Sequence, residues 1–342
     1  MKDKGTLEAQ QERLDFPIPY PVSRIPYPLM RLLSTALALL LSLTAHAADD
    51  ATLVLGTATP GGGFAVYGQA VADAIRETDP ALRIELRTTK GSAENVPLLE
   101  AGRLDLALVE GTLAYEALSG VGRAPAKLPV VAAMYSSPGM FVVRADSPYR
   151  TISDLAGRRV VFGAASSGLV VLARYVLDGL GLDMHKDFDA VLLESAKDGP
   201  PMVLNGDAAA LWGGGLGWPG FEAVAAGPQG ARFIGLGLAD IVRVQDKHAF
   251  LKTMTVAAGS YRGQDLPIAT VGSWSLILAR AGLEDELVYR FARALHRAQP
   301  ALGQRLPPAR ETTAANTIAV LPRAASIHPA VLRYFREIGL VP

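Results

Sequence analysis

From residue 52 onward, short apolar runs alternate with stretches whose apolar residues recur every three to four positions. The first series of strand-like runs covers 52–56, 82–88, 104–109 and 128–134. Between them, the stretch 64–77 sets Val66, Ala70, Val71, Ala74 and Ile75 on one helical face, the period of a helix lying on a sheet. Strand, helix, strand in this order predicts βαβ units and parallel pairing. A second series follows, with strands at 141–144, 159–163, 188–193, 209–212 and 232–236 and helices at 169–180 and 221–226. The architecture repeats; the sequence does not.

Turn-forming residues punctuate the two series at Ser136-Ser137-Pro138-Gly139 and again at 261–267, which reads as two breaks and therefore two crossings between lobes. An apolar stretch at 268–278 and helices near 284–297 and 329–338 then complete the first lobe. The expected fold class is α/β, two α/β lobes joined by a two-segment hinge, with residues 49–138 and 268–342 in lobe 1 and 139–267 in lobe 2. Open α/β sheets bind ligands beyond the carboxyl ends of their strands, so the two lobes face each other across a cleft.

Three strand-to-helix loops are rich in glycine and small hydroxyl residues: Gly61 to Gly63, Gly91 to Asn95, and Ala165 to Gly168. Such loops bring a guest against bare backbone, and the helix that follows turns unpaired N–H groups and the positive end of its dipole toward it. Two lie on lobe 1 and one on lobe 2, so a shared anion would hold the lobes closed. Each helix terminus contributes about 0.3–1 kcal/mol, or about 2 in a dry site. Micromolar affinity needs about 8 kcal/mol, so hydroxyl hydrogen bonds and burial of the ligand's body must supply the rest.

Before this region, 32–45 is an apolar run preceded by Arg31 and followed by Ala45-His46-Ala47, the pattern of a cleavable secretory leader and too short to span a bilayer. Residues 1–48 are accordingly set aside as leader and signal peptide, with Met30-Arg31 as the better translation start. No cysteine is present, which excludes a disulfide framework, a thiolate metal site and a lipoprotein anchor. The 33 basic and 33 acidic residues balance to zero formal charge, leaving no electrostatic footprint for nucleic acid. A monomeric protein free in the periplasm, handling a small molecule, fits these limits.

An ordered set of motifs runs through nearly all of the mature chain: Gly56-Thr57 with Gly61 to Gly63; Thr89-Lys90-Gly91-Ser92-Ala93-Glu94-Asn95 with Leu98-Leu99; and Gly102-Arg103-Leu104-Asp105-Leu106-Ala107. Ser153-Asp154-Leu155-Ala156-Gly157-Arg158-Arg159-Val160, Tyr261-Arg262-Gly263-Gln264-Asp265 and His328-Pro329 continue it. Together they resemble the TAXI-type solute-binding proteins of tripartite ATP-independent periplasmic (TRAP) transporters. The resemblance implies a type II periplasmic-binding-protein clamshell that delivers a small organic acid or amino acid, such as glutamate or a 2-oxoglutarate-like carboxylate, to TRAP-type integral membrane permease subunits. It maps ligand contacts to Gly62 and Gly63, to Ser92 and Asn95, and to Ser166, Ser167 and Gly168. The family's paired tyrosines after the glycine run are replaced by Phe64-Ala65-Val66-Tyr67. Phe64 and Tyr67, with Trp212 at a strand end, are the candidates for the apolar walls.

Other readings are weaker. Gly215 to Gly220 matches G-x-G-x-x-G after a strand, but Trp218 and Pro219 would crowd a pyrophosphate. Ser166 or Ser167 as an enzyme's nucleophile lacks the G-x-S-x-G elbow. The histidines show no i, i+4 pairing, so neither metal nor cofactor is expected. The alternative function is a ligand-sensing receptor, or an ABC-type substrate-binding protein for an aromatic or other carboxylate.

Overall fold

The structure, a computed structural model, describes residues 50–322 and 325–342; the leader assigned to 1–48 lies outside them. Strand β1 (Ala51–Gly56) pairs in parallel with β2 (Leu82–Arg87) and with β3 (Leu106–Val109). Helices α1 (Gly63–Thr78) and α2 (Ser92–Glu100) make the crossovers, and α3 (Gly111–Ser119) follows β3. The second lobe is built on β5 (Arg159–Ala164), parallel to β6 (Asp189–Leu193) and to β7 (Ala210–Gly214). Its helices are α4 (Gly168–Gly179), α5 (Gly199–Leu204), α6 (Pro219–Ala226) and α7 (Leu238–Lys247). The expected parallel units are therefore present in both halves.

Two long strands tie the lobes together. Strand β4 (Val130–Arg144) and strand β10 (Ile268–Ala279) run antiparallel to each other through both halves, with Gly272 opposite Pro138, Ser273 opposite Ser137 and Trp274 opposite Ser136. The segment 136–139, read from sequence as a turn, is thus extended strand. Its small residues let the two strands pass between the lobes as a bulged ladder, with a register shift between Trp274 and Leu276. The turn at 261–267 is real in kind, but it joins β9 (Lys252–Val256) to β10, which pair as a hairpin. The return crossing lies within β10 itself. Strand β8 (Ala231–Ile234) closes the other side of β4.

The apolar faces follow the two-residue period of a strand. Leu106 and Leu108 of β3 face the core under α1, α8 (Asp285–Arg305) and α10 (Pro329–Glu337), whereas Ala107 and Val109 face α2 and α3. In the second lobe, Val160 and Phe162 face α4 while Val161 faces the opposite layer. Each lobe is thus a sheet covered on both sides. Helix α8 runs eight residues beyond the expected end at 297 because its buried face continues through Ala298 and Leu302 and tolerates Pro300 inside it. A short helix α9 (Ala314–Ala319) packs on β4.

Candidate binding cleft

All three small-residue loops line one space between the lobes. It leaves about 50 Å³ open to the centre of a water-sized sphere and is lined from lobe 1 by Thr59, Gly62, Gly63, Phe64, Lys90 and Ser92. Ser167, Gly168, Leu169, Trp212 and Trp218 line it from lobe 2, while Glu110, Tyr135, Ser137 and Ser275 form the floor near the crossing strands. Of the residues singled out in the sequence, Gly62, Gly63, Phe64, Ser92, Ser167, Gly168 and Trp212 meet here.

The lobes are in contact at both lips. On one side the Ala93 N–H donates to the Ser166 carbonyl at 3.1 Å. On the other, the Lys197 N–H and the Ser195 hydroxyl donate to the Pro60 carbonyl at 3.2 and 3.1 Å, and the Ala196 N–H donates to Thr59 Oγ1 at 3.2 Å. Glycine permits this approach. Gly91 sits at φ 123°, a conformation closed to other residues, and a Cβ there would fall 2.9 Å from the Ser166 carbonyl oxygen. At Gly168 a Cβ would lie 2.3 Å from Glu110 Cβ and 3.0 Å from Ser92 Oγ.

Helix N-termini leave their first N–H groups without intrahelical partners. Here the backbone N–H groups of Gly63, Phe64, Ser92 and Gly168 donate to no described residue, and all four belong to the cavity lining. Ser92 itself is not the helix cap. Gly91 holds that place, and Ser92 Oγ instead accepts from the Glu110 N–H at 3.0 Å, which leaves the hydroxyl proton free to donate. Ser167 does cap α4, its Oγ accepting from the Leu169 N–H at 3.2 Å. The Tyr135 hydroxyl has no hydrogen-bond partner among the described residues, and burial raises its pKa further above the ordinary phenol value, so it stays a donor. Trp212 is held rigidly, its Nε1 donating to the Leu169 carbonyl at 2.8 Å and its ring 4.8 Å from Phe141.

Three residues expected at the site lie elsewhere. Tyr67 is buried in the lobe 1 core, its hydroxyl 3.0 Å from Thr312 Oγ1 and its ring edge-on to Tyr135; it backs a cleft residue without reaching the cleft. Asn95 points into the sheet, where its Nδ2 donates to the Thr57 and Leu108 carbonyls, each at 2.8 Å. It braces β1 against β3, because one turn beyond Ser92 the helix presents its sheet-facing side. Ser166 forms the lip through its backbone carbonyl and is absent from the cavity lining.

Lys90, Glu110, Tyr135 and Trp218 also line the cavity, although none was a candidate ligand contact. Lys90 stands exposed, and its ammonium pairs with no described carboxylate. Glu110 is buried, with Oε2 accepting from the Thr112 N–H at 2.9 Å and Oε1 bonded to the Ser273 hydroxyl. Burial pushes its carboxyl up to about 7, against the opposing pull of Ser273 and Thr112. Within the glycine pattern at 215–220, a Cβ on Gly220 would fall 2.4 Å from the Trp218 ring, as would one on the neighbouring Gly213 at 2.5 Å, whereas Gly215 and Gly217 hold positive φ of 91° and 61°. The arginines at 87, 144 and 174 are absent from the cavity lining, and among the histidines His248 meets Asp178 at 2.6 Å, His296 meets Tyr334 at 2.7 Å and His328 caps α10.

A model of the NMT1-like family matches residues 55–339. Among solved structures, the chain is similar to the periplasmic binding protein BugD, with 10% identity, a TM-score of 0.53, and coverage of 85% of this chain and 99% of that one. A protein of Bordetella bronchiseptica RB50 is similar at 12% identity and a TM-score of 0.54, covering 84% of this chain and 98% of that one. At such identities the likeness is one of fold, and the fold is the bilobal clamshell of periplasmic binding proteins. No helix among the described residues is long and apolar enough to cross a membrane.

Proposed function

The chain belongs to the NMT1-like family, and from that membership, its two-lobed fold and the unpaired donors in its cleft we propose that it is an exported solute-binding protein for a small carboxylate. One observation carries the reading. Four backbone N–H groups from three helices, with the Ser92 and Tyr135 O–H groups, belong to residues that line one cleft and donate to no described residue. Donors that a closing guest shuts away from water are costly if left unmade, about 1–3 kcal/mol each, and a guest rich in acceptor oxygens satisfies them together. A carboxylate is the smallest such guest that also suits the positive ends of three helices.

Trp212, Trp218, Phe64 and Leu169 offer apolar walls to the guest's body. Lys90 at the edge of the cavity favours a second anionic group, which supports a glutamate or 2-oxoglutarate-like acid over a simple monocarboxylate. The space at this degree of closure is less than the about 150 Å³ that holds a benzene ring, so a five-carbon acid requires the lobes to close somewhat less tightly upon it. The motif series quoted above supports delivery to a TRAP-type permease, and the leader pattern supports a periplasmic location.

Native mass spectrometry of protein purified without denaturation, followed by a thermal-shift series of organic acids and amino acids, tests this. Bound ligand raises the melting temperature by an amount that grows with the logarithm of its concentration relative to Kd. A carboxylate that stabilises the wild type and binds at least tenfold more weakly to Ser92→Ala is the expected result. Stabilisation only by cations or neutral sugars would refute it.

A further inference from the structure

Glu110 sits where closing parts meet. Its backbone N–H is held by Ser92 at the start of α2, its carboxyl is bonded to Ser273 on the crossing strand β10, and the start of α4 from the other lobe presses on its stem at Gly168. Thr112 of α3 supplies two further contacts, its N–H at 2.9 Å and its hydroxyl at 3.3 Å. Tyr135 of β4 and Lys90 of the second loop are the other titratable groups lining the same cavity. Among the described residues no arginine, lysine or histidine forms an ion pair with Glu110. A carboxylate so enclosed has no counter-charge and faces the space into which a negatively charged guest must come.

We propose that closure of the lobes and protonation of Glu110 are one coupled step, so that the closed clamshell holds a neutral carboxyl and opening it releases a proton to solvent. This deepens the binding reading, since a neutral Glu110 removes the like charge that would oppose a carboxylate guest. Its physical basis does not require the guest. Closed lobes cover Glu110 with α4 and strip it of water; open lobes withdraw Gly168 and hydrate it, which restores the ionised form. In the neutral state the carboxyl O–H donates to Ser273 Oγ, while the Thr112 N–H still donates to the other oxygen. The proton comes from solvent on closing and returns there on opening.

Linkage sets the size. A group that titrates near 7 when closed, and at its ordinary 4.5 when open, lowers the closed-to-open ratio by up to about tenfold for each pH unit between 4.5 and 7, and no further once both forms are ionised. Hydrogen exchange of the ligand-free protein, read by mass spectrometry on peptides spanning 90–96 and 164–170, reports that ratio directly. After correction for the intrinsic pH dependence of exchange, protection in these peptides should fall up to about tenfold per unit between pH 5 and 7 and level off above about 8, while a peptide within 285–305 keeps its protection. Glu110→Gln should abolish the fall. Ser273→Ala, which leaves Glu110 in place and removes a donor that favours its ionised form, should move the end of the fall to higher pH. Equal protection across pH in the wild type, or the same fall in Glu110→Gln, overturns the proposal. Because no ligand is used, either outcome stands apart from whether the cleft binds a carboxylate.

Discussion

Replacing Gly168 with alanine is the sharpest test of how the two lobes meet. The added methyl would lie 2.3 Å from Glu110 Cβ, 3.0 Å from Ser92 Oγ and 3.1 Å from Glu110 Cγ. Carbon atoms at rest stand about 3.5–4.0 Å apart, so the start of α4 must retreat by about 1 Å or more. That retreat breaks the Ala93 to Ser166 lip contact and withdraws the Gly168 N–H from the cleft. Overpacking of this kind costs about 1–3 kcal/mol, and here the cost falls on the closed form alone. In the open form the methyl meets solvent, and alanine is the better helix former by up to about 1 kcal/mol. Affinity for the bound carboxylate should therefore drop by about 5- to 150-fold, while the melting temperature without ligand stays level or rises. Small-angle scattering should show a larger radius of gyration, and calorimetric titration the weakened binding. A Gly168→Ala protein as compact as the wild type, binding as tightly, would refute the interlobe packing argued here.

The two tyrosines that touch each other should behave oppositely. Tyr135→Phe removes a hydroxyl with no protein partner, so affinity falls by about 1 kcal/mol with little change in urea stability. Tyr67→Phe removes a buried hydrogen bond to Thr312 Oγ1, which keeps its own bond to the Met134 carbonyl, so stability falls by about 1 kcal/mol with affinity unchanged. Asn95→Ala removes a donor from the buried Leu108 carbonyl and one from the Thr57 carbonyl, which keeps Thr89 Oγ1 at 3.0 Å, a loss of about 1–3 kcal/mol in urea melts; full stability with lost binding would instead return Asn95 to the site. Stability should also depend on pH through Glu110: because its folded pKa is raised from 4.5 to about 7, its contribution is fully present below 4.5 and is lost as pH rises through 7. Urea melts at pH 5, 7 and 9 should record a decline of at most about 3 kcal/mol, absent in Glu110→Gln. Asp79, held below the usual carboxylate range by its hydrogen bonds to Arg290, acts in the opposite sense, its stabilisation being lost only as pH falls below 3.8.

The alternation of apolar faces was legible along the chain because strand and helix periods are local, and Leu106 to Val109 display theirs in four residues. Loop glycines were legible for the same reason. What stayed hidden depends on direction or on distance. Around a helix, one turn separates the cleft side from the sheet side, so Asn95 and Tyr67, each close in sequence to a true lining residue, turn away from the cavity. Ser136 to Gly139 carries turn chemistry but lies in a strand, because a crossing between lobes also needs small side chains. Tyr135 and Trp218 reach the cleft from segments some 70 and 150 residues beyond the first glycine loop, with no local mark of doing so. Glu110 did leave a signal: it ends an apolar strand and is followed by Gly111-Thr112 and a helix, the same strand, loop and helix pattern as the other three.

That fourth loop changes what kind of site this is. Three helix starts facing an empty space would favour any anion, at any pH. At the fourth, Glu110 already supplies its own acid, accepting from the Thr112 N–H while its stem meets the opposite lobe at Gly168. The internal carboxyl thus competes with the guest for the same positive field, and the competition is relieved when it takes up a proton. A glutamine at 110 would remove the competition but also the contrast between open and closed forms, since a neutral amide pays little for burial when its partners remain. On the coupling proposed above, the carboxyl makes closing sensitive to its surroundings, so that the closed state is stable only under the conditions that protonate it.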